Sequence, residues 1–166
     1  MKGLGLAISG IVLPILMIPL LLAILLPSLF KARNTAQRVA CASNLKQLGT
    51  GMILYANDNK YRFPTPSQWC DLLKNNGYTF DKVLLCPLNP KGRSSYAVNP
   101  NATNTNCPGD MVLLFETSDG WNKYGGPEIA NFENHKGDGL NVIFVNSDVR
   151  FVKPKDVNSL RWTKDK

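Results

Sequence analysis

The chain predicts an α+β protein in which one long N-terminal helix lies on a small antiparallel β-sheet. Three observations carry this. Leu4 to Phe30 is an apolar run without a single charge. Cys41, Leu45, Leu48, Met52 and Tyr55 then recur at spacings of four, three, four and three, which places them on one face of a helix. Near the other end, Met111–Glu116, Leu140–Val145 and Val149–Val152 are short apolar or alternating runs divided by turn residues, the pattern of strands.

The first run is long enough to cross a bilayer, for which about 20 apolar residues suffice at a rise of about 1.5 Å each. It is too long for the apolar core of a signal peptide. Lys2 is the only charge before it, and no clean small-x-small cleavage site follows. Pro14, Pro19 and Pro27 would be costly in a soluble helix and are tolerated, with kinks, in a membrane helix. Residues 1–30 are therefore expected to be a transmembrane segment and 31–166 a single domain. The helix should continue over 31–58, where no turn signal interrupts it.

Asn57-Asp58-Asn59-Lys60 ends that helix, and Pro64 and Pro66 keep the next segment extended. Ser67 is the expected N-cap of a short helix over 68–75, stopped by Gly77, with Trp69, Leu72 and Leu73 inward. Val83–Cys86 reads as a brief buried strand. Residues 87–110 are rich in Asn, Pro, Gly and Ser and read as an irregular loop around one possible strand, Ser95–Val98. The sheet occupies 111–153. Asn146-Ser147-Asp148 turns its last two strands into a hairpin. Packing one sheet face on the helix would bury Leu45, Leu48, Met52 and Tyr55.

The net charge of +7 is unevenly placed. Lys31, Arg33, Arg38, Lys46 and Lys60 stand against Asp58 alone in residues 31–60, whereas from Met111 onward eight bases meet eight acids. Positive charge beside the apolar segment argues for apposition to anionic headgroups over a nucleic-acid groove. The four cysteines, Cys41, Cys70, Cys86 and Cys107, include no CxxC pair, so their spacing points away from zinc. An even set fits disulfides in a domain outside the cytoplasm. Three full pairings are open. The expectation is a bridge at Cys86 with Cys70 or Cys107, and Cys41 as a buried thiol on the apolar helix face.

Several stretches together resemble the type IV pilin-like proteins and the pseudopilins of type II secretion, in particular the branch common in planctomycetes and verrucomicrobia. They are Leu22–Leu29 followed by Lys31-Ala32-Arg33; Cys41–Leu48 with Tyr55–Asn59 and Arg62-Phe63-Pro64; Cys86-Pro87 with Ser95-Tyr96-Ala97; and His135 with Asn141–Phe144. The last is similar to that branch's C-terminal signature of His, nine residues, Asp-Gly. The resemblance implies a pilin-like fold, a helix that packs against other such helices in the membrane, and secretion-system partners. The chain departs from the family at both ends. Gly3-Leu4-Gly5-Leu6-Ala7 stands where relatives have Gly-Phe-Thr-Leu-Ile-Glu, and no glutamate precedes Glu116. Ten residues separate His135 from Asn146-Ser147, which replaces Asp-Gly.

For chemistry the residues offer little. His135, the only histidine, lacks a neighbouring cysteine or a nucleophile turn, and its expected role is structural, with the ring bonding a loop carbonyl. Glu116, Asp119 and Asp138, with Glu133 and Asp148, cluster around the strand ends and are the candidates for a calcium ion, as in the C-terminal loops of some pseudopilins that the chain resembles. A solvated acidic surface is the default for them. Trp69, Trp121, Tyr124, Phe132 and Trp162 could form a sugar platform but are scattered, as residues that pack loops would be.

The expected protein is a single-pass subunit of the cytoplasmic membrane with its domain outside the cytoplasm, without chemistry or a required cofactor of its own. The alternative is a solitary extracytoplasmic binding module on an ordinary membrane tether. The basic residues after the apolar run oppose the proposed orientation on the positive-inside rule; the cysteines and the resemblance favour it.

Overall fold

Leu45, Leu48 and Met52 form the seam from which the fold is built, and all three are fully buried. The computed structural model describes residues 3–88, 92–118 and 120–165, with side chains at 17, 19 and from 21 onward. The first helix, α1, runs Gly3–Asp58. It contributes to both compact units of the chain, Met1–Ala36 and Gln37–Lys166. Among the described residues no helix is long and apolar enough to cross a membrane. The side chains of 4–16, 18 and 20, on which the expected span at 1–30 partly rests, lie outside the described ones.

In the second unit the seam meets the sheet, with one change at its end. Tyr55 is only half-buried, and the fully buried residue is Ala56. At about 100° per residue the two lie roughly 50° to either side of the seam's mean direction. Alanine takes the side where space is short. Tyr55 lies at the edge, its ring edge-on to Tyr78 at 6.0 Å. The helix closes without glycine: Lys60 and Tyr61 adopt left-handed φ of 56° and 62°, and the Tyr61 amide donates to Ala56 O at 2.7 Å.

Four strands follow: β1 Tyr96–Val98, β2 Val112–Glu116, β3 Leu140–Phe144 and β4 Val149–Val152. They pair antiparallel in the order β1-β2-β3-β4, a meander. The register opposes Tyr96 to Glu116, Phe115 to Val142 and Asn141 to Phe151. A register shift between Val112 and Leu114 breaks the in-out alternation of β2. Leu113 and Leu114 thereby both join the core under α1, with Tyr96, Val98 and Ile143. The opposite face carries Ala97, Val112, Phe115, Val142 and Phe144 and is covered by Val157 and Trp162 from the C-terminal segment. Both faces are dry, which is why β2 and β3 read as continuous apolar runs.

The middle of the chain differs from expectation in two places. A 3-10 turn at Pro66–Gln68 precedes helix α2, Trp69–Asn75, and Ser67 makes no side-chain cap. Asn122 caps instead, its Oδ1 accepting from the amides of Cys70 (2.7 Å) and Asp71 (3.4 Å). The inward residues of α2 are Trp69, Cys70 and Leu73, with Leu72 half-buried. The expected strand at Val83–Cys86 is a 3-10 turn, Asp81–Leu84, leading into an extended Leu85. Its hydrogen bonds toward β1 go to Ser95, through Ser95 N to Leu84 O and Cys86 N to Ser95 Oγ, too few for a ladder.

Candidate functional site

Two features stand out from the packed core. The first is the apolar part of α1. Met17, Leu21, Leu22, Ile24, Leu25, Leu26, Leu29 and Phe30 are between 45% and 66% exposed. From Leu21 to Phe30 they point in every direction around the helix, with no polar face apart from Ser28, whose hydroxyl is turned onto Leu25 O at 2.7 Å. A helix that is apolar all round needs apolar surroundings on all sides. Exposed Lys31 and Arg33 follow directly.

The second is a buried polar cluster. Glu116, the last residue of β2, is fully buried. Its carboxylate accepts from the Asn141 amide (2.7 Å) and the Asn141 side chain (3.1 Å), and His135 Nε2 lies 2.8 Å from Oε2. His135 is carried by a 3-10 turn, Glu133–His135, that ends in left-handed Lys136 and Gly137. Its ring stands edge-on to Phe151 at 5.5 Å, and the Arg38 guanidinium covers the Phe151 ring at 4.4 Å. Asn141 also donates to Arg38 O at 3.3 Å, which ties β3 to α1. The expected bond from His135 to a loop carbonyl is thus a bond to a buried carboxylate. A carboxylate taken out of water needs partners nearby, and the ring supplies one.

A disulfide joins Cys41 to Cys86. The expected partners of Cys86, Cys70 and Cys107, are free and buried. Asn44, one turn past Cys41, donates to Leu85 O at 2.9 Å and ties the residue before Cys86 to α1 as well. Burial pushes the Cys70 thiol up to about 12, so it is unreactive. Cys41 and Cys86 Sγ, a Glu116 oxygen and a His135 ring nitrogen all lie within 4.8 Å of one another, and all four residues are buried. No other such group of His, Cys, Asp and Glu occurs among the described residues.

The calcium candidates are dispersed. Glu116 belongs to the buried cluster, Asp138 and Glu133 are exposed, and Asp148 is exposed and paired with Arg150 at 2.7 Å. Asp119 lies outside the described residues. The aromatic residues do not make one platform. Trp69 donates to Lys123 O, Trp121 donates to Asp71, and Trp162 packs edge-on against Phe115 at 5.0 Å. Phe132 is half-buried, and Tyr124 is exposed. A surface depression of about 480 Å³ is lined by Ser118, Lys123, Glu128 and Asn131, and another of about 250 Å³ by Lys74, Arg93 and Trp121. Neither reaches the buried cluster.

Asn141, Asn44 and Arg38 are the members that sequence reasoning misses. The one available signal is Asn141 itself, a polar residue inside the run Leu140–Val145. Compared with protein-family models, curated proteins and solved structures, the chain matches none.

Proposed function

We propose that the chain is a membrane-anchored, pilin-like structural subunit of a type II secretion or type IV pilus-type assembly, with its domain outside the cytoplasm. The observation that carries this is the all-round apolar exposure from Leu21 to Phe30, on the same helix whose later turns carry a buried seam. Lipid and neighbouring apolar helices satisfy the first stretch; the sheet satisfies the second. The disulfide supports an oxidising compartment for the domain. In this reading the subunit works by assembly. Its helix packs against like helices within the bilayer, and the loops of the domain meet partners.

A second reading, a solitary tethered binding module, is favoured by Gly3-Leu4-Gly5-Leu6-Ala7, which differs from the Gly-Phe-Thr-Leu-Ile-Glu of the family the chain resembles, whose glutamate there helps set subunit register.

Cysteine cross-linking at Leu22 and Ile24 in native membranes separates the two. Assembly predicts ladders of dimers and higher species. Recovery of monomers alone, from a chain that stays in the membrane fraction, rejects assembly and leaves the tether. A chain that leaves the membrane on alkaline extraction rejects both.

A further inference from the structure

We infer that Cys41, Cys86, Glu116 and His135 form a redox-gated zinc site, closed as a disulfide when oxidised and able to take Zn²⁺ when reduced. The inference does not depend on the assembly reading, because all four residues lie within Gln37–Lys166.

The donor set is the first argument. Two sulfurs, an imidazole nitrogen and a carboxylate oxygen are chemically a zinc set. Tetrahedral zinc with bonds of about 2.0–2.3 Å separates its ligand atoms by about 3.3–3.8 Å. The four atoms here already lie within 4.8 Å of one another. Binding asks the two bonded sulfurs to part, His135 Nε2 and Glu116 Oε2 to open from 2.8 Å, and the widest of the remaining separations to close by about an ångström.

The supporting groups are the second argument. Asn141 holds both carboxylate oxygens, through its amide and its side chain, and so fixes the orientation of Glu116. Phe151 stands edge-on to the His135 ring. Two thiolates and a carboxylate leave a Zn²⁺ complex with one net negative charge. The Arg38 guanidinium, stacked on Phe151, offsets it from the next layer.

The third argument is burial. A disulfide alone explains Cys41 and Cys86, but it gives no reason for a carboxylate and the only histidine of the chain to be buried beside it. The chemistry balances simply. A dithiol donates two electrons and two protons; the Cys41–Cys86 S–S bond breaks, two thiols form, and the dithiol becomes a disulfide. Zn²⁺ then displaces the two thiol protons to solvent. On reoxidation the two thiolates pass two electrons to a disulfide acceptor, which takes two protons from solvent and becomes a dithiol, while the Cys41–Cys86 S–S bond closes and Zn²⁺ is released.

The test uses the full chain in detergent micelles, reduced with a water-soluble trialkylphosphine, which becomes the phosphine oxide and whose excess is removed by anaerobic gel filtration before metal is added. Titration with Zn²⁺, and with Co²⁺ as a coloured substitute, should give one metal per reduced chain, with thiolate-to-cobalt charge-transfer bands. The oxidised chain should show neither. X-ray absorption of the zinc form should report two sulfur and two nitrogen or oxygen ligands. H135Q and E116Q should each weaken zinc binding about tenfold or more. Their folding is checked independently by thermal melting of the oxidised forms. A variant with both Cys70 and Cys107 changed to serine should bind as the parent does. The inference is overturned if the reduced parent takes no zinc, if the metal has four sulfur or no sulfur ligands, or if the serine variant loses binding. It also fails if folded H135Q and E116Q both bind undiminished. X-ray absorption needs no variant, so a misfolded substitution does not remove the test.

Discussion

Asn122 closes the start of α2 from 52 residues away in sequence, with its own backbone in the left-handed region at φ 52°. The same side chain donates to Asp71, and Trp121 donates to the other carboxylate oxygen at 2.8 Å. These two donors hold the Asp71 carboxyl below the usual carboxylate range. A carboxyl with a lowered folded value stabilises the protein above the ordinary value of about 4, and that contribution disappears as pH falls through the lowered one. D71N should therefore melt at a lower temperature than the parent at pH 7. The gap should shrink as pH drops from about 4 toward 2. A gap of constant size across that range would mean that the Asp71 charge plays no part. Asn99 shows the same use of a buried amide, donating to Val112 O at 2.8 Å and to Trp162 O at 3.0 Å and so joining β2 to the C-terminal segment.

At the level of elements, α1 approaches its neighbours closely because glycine stands where a side chain would collide. A Cβ on Gly51 would lie 2.7 Å from the Tyr78 carbonyl oxygen, and one on Gly49 would lie 2.2 Å from Ile143 Cδ1. The two are not equivalent. The Ile143 side chain can turn, whereas the Tyr78 oxygen is backbone and follows the turn after α2. Alanine is ordinarily better than glycine in a helix interior by about 1 kcal/mol. G51A should nevertheless destabilise the domain by about 1–3 kcal/mol through overpacking, measured as a lower urea midpoint in micelles. An unchanged or raised midpoint would show that the turn yields freely. The register shift in β2 is the other device at this scale. It sets consecutive leucines into one core, which the alternation of a regular strand would not allow.

For the whole molecule, the Cys41–Cys86 bridge joins positions 45 residues apart and ties α1 to the segment before β1. On the chain-entropy account, closing a loop of that length stabilises the folded state by about 4 kcal/mol. Changing both cysteines to alanine should lower stability by about 2–4 kcal/mol, read as a fall in the urea midpoint with metal chelated. No loss would mean that the packing of α1 on the sheet already restricts the chain to the same degree. The covering of the second sheet face also belongs to this scale, since Trp162, near the C-terminus, packs against Phe115 on β2.

The sequence by itself determined the elements whose burial is periodic or unbroken along the chain. The seam from Cys41 to Met52 was legible because a helix face repeats at fixed intervals, β2 and β3 because strands covered on both faces read as unbroken apolar runs, and β4 with its hairpin because a turn precedes an alternating run. Only the tertiary structure decided what depends on distant partners. It set the disulfide pairing, the cap of α2 through Asn122, and the meeting of Glu116, His135 and Asn141. The physical reason is that periodicity is written along the chain, whereas a hydrogen bond or a sulfur bridge specifies only that two groups meet in space.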